Sequence, residues 1–404
     1  MRRTAVVSAL FFAVVAWAGD IRIPPNDFWC EVLGIGCRQT RRLMPRIGNY
    51  YLPRGVGVIA QGTDMAVSPY PWWKFSNIMQ NHEMLTDIAN HDIRIANVWV
   101  RVNPFDGGDE WCFQPWAPHI GYHDGYMCMG GETTRENMDL FWTHPDFDVL
   151  VIRFEAWASL EEGCDGSQSL VWENEPTKGI VDTLYERYGD QNKVIILQNW
   201  EADWQMYGVG CKDRSECLYG CESEENVENC CDEMKIDRSY YLLSVFNERQ
   251  RVISEARNNN PHANLRVYHA ICINSYTDEW LTVARDVIPQ MDEMPDFVGV
   301  SYWKKPPMHV TDALGYVESH TGLPRYRIYV SELGYPEQPN KPAYDRIMNE
   351  STLAFEWGVQ MVLVWHWKYW GDDVRQQNLS LFETDNLTPK SGYWAVRELN
   401  DEWR

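Results

Sequence analysis

Two glutamates beside apolar runs are the residues of this 404-residue sequence best placed for acid–base or nucleophilic chemistry. Residues 194–201 read VIILQNWE and end in Glu201, and residues 328–334 read IYVSELG and contain Glu332. A carboxylate that leaves an apolar strand costs several kcal/mol if it is buried without a partner. Each glutamate is therefore expected either to pair structurally with an arginine or to be held ready for a reaction.

Two carboxyl groups that flank a bound sugar could cleave a glycosidic bond. One, protonated, gives its proton to the leaving oxygen, and the other, ionised, attacks the anomeric carbon or activates water. Their separation decides the stereochemistry, with about 5–5.5 Å for retention and about 6.5–9.5 Å for inversion. Strands that point toward a common centre favour the shorter separation.

The elements that must position these groups form a repeating pattern. Short apolar runs alternate with longer stretches of helical spacing, which predicts a closed (β/α)8 barrel, also called a TIM barrel, of parallel strands. The alternative is an open doubly wound sheet, although its phosphate signature Gly-x-Gly-x-x-Gly is missing after the first strand. The strands are predicted at 55–61, 94–102, 148–157, 193–201, 265–274, 297–303, 327–334 and 359–367.

Long connections follow three of these strands, at 103–132, 158–175 and 202–236. In a barrel they would lie on the C-terminal face, where enzymes of this architecture place their sites. All three contain cysteines, so we expect long disulfide-bearing loops on that face. Helices are predicted at 76–91, 237–258, 279–291, 309–320, 342–357 and, as a closing helix, 389–404.

The N-terminus predicts export. A short basic start is followed by an apolar run over residues 5–18 that ends in Ala16-Trp17-Ala18, which is typical of a secretory signal and too short to span a bilayer. The alternative is a retained membrane anchor. The expected organisation is a signal peptide at 1–18, an N-terminal extension at 19–54 and a catalytic domain at 55–404, in a secreted protein.

Eleven cysteines in an exported chain predict disulfides. Cys272 lies within an apolar run and is expected to remain a buried thiol. A zinc site in the cysteine cluster at 211–231 is the alternative there. His119 and His123 are four residues apart, but Pro118 and nearby glycines favour a loop, so we expect no metal.

The net charge of −22 excludes some partners. An acidic surface repels nucleic acid and anionic membranes and suits an uncharged or cationic ligand. We expect a carbohydrate substrate, no nucleic acid, no membrane association after signal removal, and a monomer. No phosphate-binding loop, dinucleotide fingerprint or Gly-x-Ser-x-Gly elbow is present, so no cofactor is expected. The triplets that begin at Asn349, Asn378 and Asn386 would be glycosylated only in a eukaryotic secretory route.

Over roughly residues 55–370 the chain resembles the clan of retaining glycoside hydrolases that use a (β/α)8 barrel, which includes cellulases, mannanases and β-galactosidases. The resemblance rests on strand-end residues in the clan's order, among them Ser331-Glu332-Leu333-Gly334. In that clan the acid/base is a Glu that ends strand four and the nucleophile is a Glu that ends strand seven. The resemblance therefore implies these roles for Glu201 and Glu332.

The same resemblance implies substrate-binding residues at other strand ends. Arg101 would end strand two and keep the nucleophile ionised. Tyr302 would end strand six and hydrogen-bond the nucleophile. Trp365 would end strand eight as a floor for the sugar, with Trp367 as its rival. Core packing is the alternative for Tyr302 and Trp365.

The fourth strand departs from the clan's pattern. The clan has an Asn immediately before the strand-four Glu, which binds a sugar hydroxyl, whereas this chain has Trp200 there and Asn199 one residue further back. Strand alternation would put Asn199 on the same face as Glu201, and a bulge could restore the contact. Asp203 is the fallback acid.

Strands three and five offer further candidates. Glu155 could line the substrate cleft or pair with Arg153. His269 and Asn274 could reach the ligand, although a buried histidine satisfied within the core is the commoner outcome.

The expected function is a secreted glycoside hydrolase that cleaves β-linked sugars with retention. The alternatives are a non-catalytic carbohydrate-binding barrel and a secreted structural or adhesive protein with a degenerate site.

Overall fold

Eight parallel strands close into a barrel in the computed structural model. Each of these strands pairs with its neighbours in chain order, and β1 pairs with both β2 and β8, which closes the barrel; a two-residue strand at Cys112–Phe113 pairs antiparallel with the end of β2. The predicted (β/α)8 barrel is therefore confirmed and the open sheet is excluded. The strands are β1 (Gly55–Ala60), β2 (Ile95–Asn103), β3 (Val149–Glu155), β4 (Val194–Gln198), β5 (Arg266–Ile273), β6 (Phe297–Tyr302), β7 (Ile328–Gly334) and β8 (Met361–Trp365).

The structure describes most of the barrel and its helical layer, and these residues lie within the compact unit Leu52–Arg404. The predicted signal peptide, residues 19–53 of the N-terminal extension, His119, His123 and residues 208–226 of the cysteine-rich segment lie outside the described residues, so those expectations stay predictions. The described ranges are 54–60, 85–103, 112–113, 144–155, 167–199, 201–207, 227–276, 281–303, 308–337, 342–367, 378–383 and 387–403.

The strands alternate between two apolar environments, as expected when both faces of a parallel sheet are covered. On β5, Val267 and Ile271 join the large hydrophobic cluster that the strands share with the helices. Between them, Tyr268 points into the barrel and packs edge-on against Phe297 of β6. The Tyr329 hydroxyl of β7 reaches across the interior and donates to the side-chain oxygen of Gln198 on β4. The barrel interior is thus a packed core that closes the site from below.

Helices cover the outside of the barrel, and three of them begin within segments that were predicted to be loops. Segments 158–175 and 202–236 were expected to be loops, but helical turns occupy part of each, because polar helical turns lack the apolar spacing that would identify them. The α-helices are α1 (Ser167–Tyr188), α2 (Ala202–Tyr207), α3 (Val227–Asn259), α4 (Val310–Thr321), α5 (Ala343–Trp357) and α6 (Ser391–Trp403).

Two further expectations for helices have clear outcomes. The helix expected at 279–291 is instead a π-helical turn at Val283–Val287 followed by a 3-10 turn at Ile288–Gln290, because Pro289 has no N–H to continue an α-helix. The closing helix is confirmed as α6. Its Asn400 side chain bonds both the N–H and the carbonyl of Val56, each at 3.0 Å, and so ties the end of the chain to β1. In the described part of the chain, none of the helices has the length and apolar character needed to cross a membrane.

Candidate active site

Glu201 and Glu332 lie at the same end of the barrel. Glu201 comes three residues after β4, and Glu332 lies within β7, two residues before its end. Both carboxyl groups are almost completely enclosed, with 8% and 3% of the residue exposed, respectively. Because the carboxyl ends of parallel barrel strands meet on one face, the two side chains face a common region above the packed interior.

A β-bulge turns Glu332 toward the interior. Tyr329 and Ser331 point inward on β7, so strict alternation would direct Glu332 outward to the helices. The register against β6 slips at this point, because Val300 pairs with Val330 whereas Ser301 pairs with Glu332. The pairing with β8 is irregular over the same residues. The extra residue places Ser331 and Glu332 on the same face, as bulges next to active sites often do.

Glu201 accepts a hydrogen bond at each of its carboxylate oxygens. The Ser301 hydroxyl of β6 donates to Oε1, and the Asn274 side-chain amide, which follows β5, donates to Oε2 at 3.0 Å. Asn274, which was expected to reach the ligand, contacts Glu201 through this bond. The alternative of a structural ion pair with an arginine stays untested, because the side chain of Arg101 lies outside the described residues.

Trp303 connects the two carboxylates. Its indole Nε1 lies 3.3 Å from Oε2 of Glu332 and 3.0 Å from Oγ of Ser301, which itself contacts Glu201. The ring packs on the backbone of Gly334, where an added Cβ would overlap it. The Gly two residues after the glutamate therefore has a specific purpose, which is to make room for this indole.

Asp203 bonds to backbone next to the site. It is completely buried and accepts 2.8 Å hydrogen bonds from the backbone N–H groups of Asn274, Ser275 and Val283. Burial raises the pKa of its carboxyl to about 6, against the opposing effect of the three N–H donors, and the nearby charge of Glu201 adds to the rise. Since both oxygens are occupied by backbone, the fallback acid is a structural anchor for the segment that carries Asn274.

Two of the expected substrate-binding residues are engaged elsewhere. Tyr302 is fully buried on the outer face of β6, where its hydroxyl donates to the carbonyl of Met308 at 2.6 Å, so it does not make the expected bond to Glu332. Asn199 is also buried, with its oxygen accepting the Cys272 N–H at 3.1 Å and its amide 3.4 Å from the Cys272 carbonyl. This amide joins β4 to β5 and is turned to the backbone of Cys272.

The two tryptophans of β8 are distinguished by their surroundings. Trp365 is 8% exposed and meets Trp303 edge-on, with ring centroids 5.8 Å apart, so it lies beside the indole that contacts Glu332. The peptide between Trp365 and His366 is cis. Trp367 is fully buried, and its Nε1 donates to Asp87 at 2.6 Å. Trp367 therefore belongs to the core, whereas Trp365 packs against Trp303.

The remaining candidates either have side chains outside the described residues or lie away from the two glutamates. Arg101 and Glu155 are paired in register at the ends of β2 and β3, and their side chains are outside the described set. Trp200 is not among the described residues. His269 faces α3, bonds the Gln250 side chain at 3.1 Å, and has its pKa lowered by burial. Cys272 is a buried thiol inside the barrel, with Sγ 3.2 Å from Oγ of Ser331.

Ser301 and Trp303 are the residues that sequence reasoning missed. Both flank Tyr302, the residue selected by resemblance to the clan. The alternation of β6 offered a signal, since Gly299 and Ser301 share the inward face and Tyr302 does not. The position of Trp303 had no such signal, because it follows the last residue of the strand.

Comparisons with known proteins agree with this architecture. No protein-family model matches the chain, and no curated protein is similar enough to count as a relative. Among solved structures, a GH5-4 broad specificity endoglucanase from Clostridium longisporum superposes with a TM-score of 0.53 at 11% identity, covering 87% of this chain and 97% of that one. The chain shares its fold with (β/α)8 glycoside hydrolases.

Two further structures are similar to a comparable degree. A GH5_18 protein from Bifidobacterium longum subsp. infantis gives a TM-score of 0.54 at 13% identity and covers 88% of this chain and 80% of that one. A GH5-4 broad specificity endoglucanase from Ruminococcus champanellensis gives 0.51 at 13% identity, with coverage of 86% and 96%. At these identities the similarity establishes the fold alone.

Proposed function

We propose that this protein is a glycoside hydrolase that cleaves β-glycosidic bonds of a polysaccharide or oligosaccharide with retention of configuration. The observation that carries the proposal is the pair of enclosed carboxylates, Glu201 and Glu332, joined by Ser301 and Trp303 at the carboxyl end of the barrel. Three successive hydrogen bonds of roughly 3 Å limit the distance between their nearest oxygens to at most about 9 Å. Carboxyl pairs of glycosidases act at separations of about 5–9.5 Å.

Glu332 is proposed as the nucleophile. The indole N–H of Trp303 donates to its Oε2, and a donor at that oxygen favours the ionised carboxylate. Glu332 attacks the anomeric carbon, the glycosidic bond to the leaving oxygen breaks, and a glycosyl ester forms on the enzyme. Trp365 packs against Trp303 and is proposed to offer an apolar ring face for the sugar.

Glu201 is proposed as the acid/base. It protonates the leaving oxygen in the first step and takes a proton from water in the second, when that water attacks the glycosyl ester. Its two donors, Ser301 and Asn274, orient the carboxyl group between the strands. Arg101 and Glu155, at the ends of β2 and β3, are proposed to line the same cleft.

The setting of the reaction is proposed from the sequence. We infer that the protein is exported with removal of residues 1–18, carries disulfides in its long loops and acts as a monomer. The net charge of −22 favours a neutral or cationic glycan over an anionic one. No cofactor takes part in the proposed reaction.

Two substitutions with a matched control test the assignment. Glu332→Gln and Glu201→Gln should each lower kcat/KM on aryl β-glycosides by at least about 10³-fold while thermal unfolding stays cooperative. Glu356→Gln, on the exposed side of α5, should leave the rate unchanged. A 2-deoxy-2-fluoro β-glycoside should add one glycosyl mass to the peptide that contains Glu332. Substantial turnover by the Glu332 variant, or labelling of another residue, would refute the roles.

A second function is favoured by one specific observation. The clan's Asn before the acid is Trp200 in this chain, and the Asn199 amide is occupied by the backbone of Cys272. A barrel that lacks this contact could bind glycans without cleaving them. Such a protein would show saturable binding to a glycan in calorimetry and no release of reducing ends over a polysaccharide panel, whereas the proposed hydrolase would release them.

A further inference from the structure

Trp303 and Ser301 form a hydrogen-bonded bridge between Glu332 and Glu201. The chemistry of these two donors determines the direction of each hydrogen bond in the bridge. An indole N–H can donate but cannot accept, so Trp303 must donate to Glu332 and to Ser301. Ser301 has one hydroxyl proton, and its oxygen receives the Trp303 N–H. Its proton is therefore directed to Oε1 of Glu201. Each carboxylate therefore accepts a hydrogen bond from the bridge. The hydrogen bonds of Trp303 cannot change direction, because an indole nitrogen has no acceptor.

This direction leaves the two oxygens of Glu201 with different tasks. Oε1 is reserved as an acceptor for Ser301, so the proton that an acid must carry is left to Oε2. Oε2 faces the Asn274 side chain at 3.0 Å. An amide can present either its NH2 group or its oxygen, so Asn274 can accept from protonated Oε2 after a turn of the amide.

The surroundings hold the indole in place. The ring lies on Gly334 and meets Trp365 edge-on, and the backbone of Trp303 is bonded to the Tyr276 hydroxyl. These contacts come from three separate elements, so the N–H direction is set by tertiary packing. Asp203 and Tyr276 are titratable groups that act on Glu201 from α2 and from the segment after β5.

We propose that Trp303 is a positioning residue that couples the two carboxylates, holding Glu332 directly and fixing the acceptor oxygen of Glu201 through Ser301. This inference rests on the proposed function and deepens it. Trp303 makes the hydrogen bond to Glu332 that the resemblance to the clan implied for Tyr302. Because one N–H serves both groups, a change at Trp303 is felt at Glu201 as well as at Glu332.

The experiment compares Trp303→Phe with Ser301→Ala, and uses Trp394→Phe, a change at an exposed position of α6, as the matched control. Phe keeps a ring against Gly334 but removes the N–H. The readouts are the pH dependence of kcat/KM on an aryl β-glycoside and the titration of 13Cδ-labelled glutamate by NMR, with resonances assigned through Glu201→Gln and Glu332→Gln. The acidic limb of the pH profile reports the pKa of the nucleophile, and the alkaline limb reports the pKa of the acid/base.

Trp303→Phe should lower kcat/KM roughly 10- to 100-fold, as expected for a lost hydrogen bond to a charged group. Both limbs, and the titrations of both glutamates, should move to higher pH by roughly one unit or less, because each carboxylate loses support from a donor. Ser301→Ala should move the alkaline limb and the Glu201 titration to higher pH, but it should not raise the acidic limb, because the Trp303 N–H then serves Glu332 alone. In the double variant, the Glu201 shift should equal that of Ser301→Ala alone.

Two results would overturn the coupling: a Trp303→Phe enzyme whose Glu201 titration is unchanged, or additive shifts in the double variant. If Trp303→Phe fails to fold, Ser301→Ala must still shift Glu201, and an unchanged titration there refutes the bridge. An inactive wild type would refute the proposed hydrolase, while the NMR titrations would still decide the coupling. The two failures are therefore distinguishable.

Discussion

Asp203 makes the stability of this protein depend on pH in a direction opposite to that of most carboxylates. Its pKa in the folded protein is raised to about 6, mainly by burial, from the ordinary value of 3.8. The folded state therefore holds a proton up to about pH 6, whereas the unfolded chain releases it near pH 4. Between these values the folded state binds more protons, so the contribution of this group to stability falls as the pH rises.

The size of the effect follows from the shift. A rise of roughly two pKa units corresponds to about 3 kcal/mol. Asp203 should thus stabilise the fold fully below about pH 4 and lose about 3 kcal/mol of that contribution by pH 7. Asp203→Asn carries no titratable proton, so the difference in unfolding free energy between the two proteins should change by about 3 kcal/mol over this window, in favour of the Asn variant at pH 7.

The assay is equilibrium urea unfolding of both proteins at closely spaced pH values from 4 to 7.5. Taking the difference cancels every other group that titrates equally in the two proteins. Asp345→Asn, at an exposed position of α5, controls for the loss of a carboxylate at the surface. A difference that stays constant with pH, or that changes in favour of wild type as the pH rises, would show that the three N–H donors outweigh burial and would refute the reasoning.

Three further outcomes are expected from the packing around the site. Gly334→Ala should displace the indole of Trp303, lower kcat/KM at least about tenfold and destabilise the fold by about 1–3 kcal/mol, measured by kinetics and urea unfolding; full activity would contradict the packing argument. Asn199→Ala should cost about 1–3 kcal/mol of stability and leave KM unchanged, because its amide serves backbone; a large rise in KM would instead restore its role in binding sugar. Trp367→Phe should lose its bond to Asp87 and reduce the melting temperature without altering kcat, so a kinetic defect would count against its assignment to the core.

Strand positions in this protein could be read from local pattern. The run 194–201 is apolar, short and β-rich, and such a run has few ways to satisfy its backbone other than a covered parallel strand. Eight such runs separated by helical spacing leave a closed barrel as the simplest arrangement. The same pattern located Glu201 and Glu332, since a charge at the end of an apolar strand is visible without any tertiary information.

The hydrogen-bond partners of individual side chains near the site could not be predicted from neighbouring residues in the sequence. Asn199 looked like a sugar ligand on the sequence, and only the position of β5 shows that Cys272 takes both ends of its amide. Asp203 looked like a spare acid, and only the path of the segment after β5 shows three backbone donors around it. A side chain's partner depends on which distant backbone arrives beside it, and that information is absent from nearby residues.

The sequence by itself determined the barrel, the face on which a site would lie, and the two glutamates that could act there, because periodicity and strand ends are properties of neighbouring residues. Only the tertiary structure decided that a bulge turns Glu332 inward and that Trp303, not Tyr302, meets it. Strand alternation alone gives the opposite face for Glu332. Register between β6 and β7 overrides that alternation, and register is set by the pairing of strands that are distant in the chain.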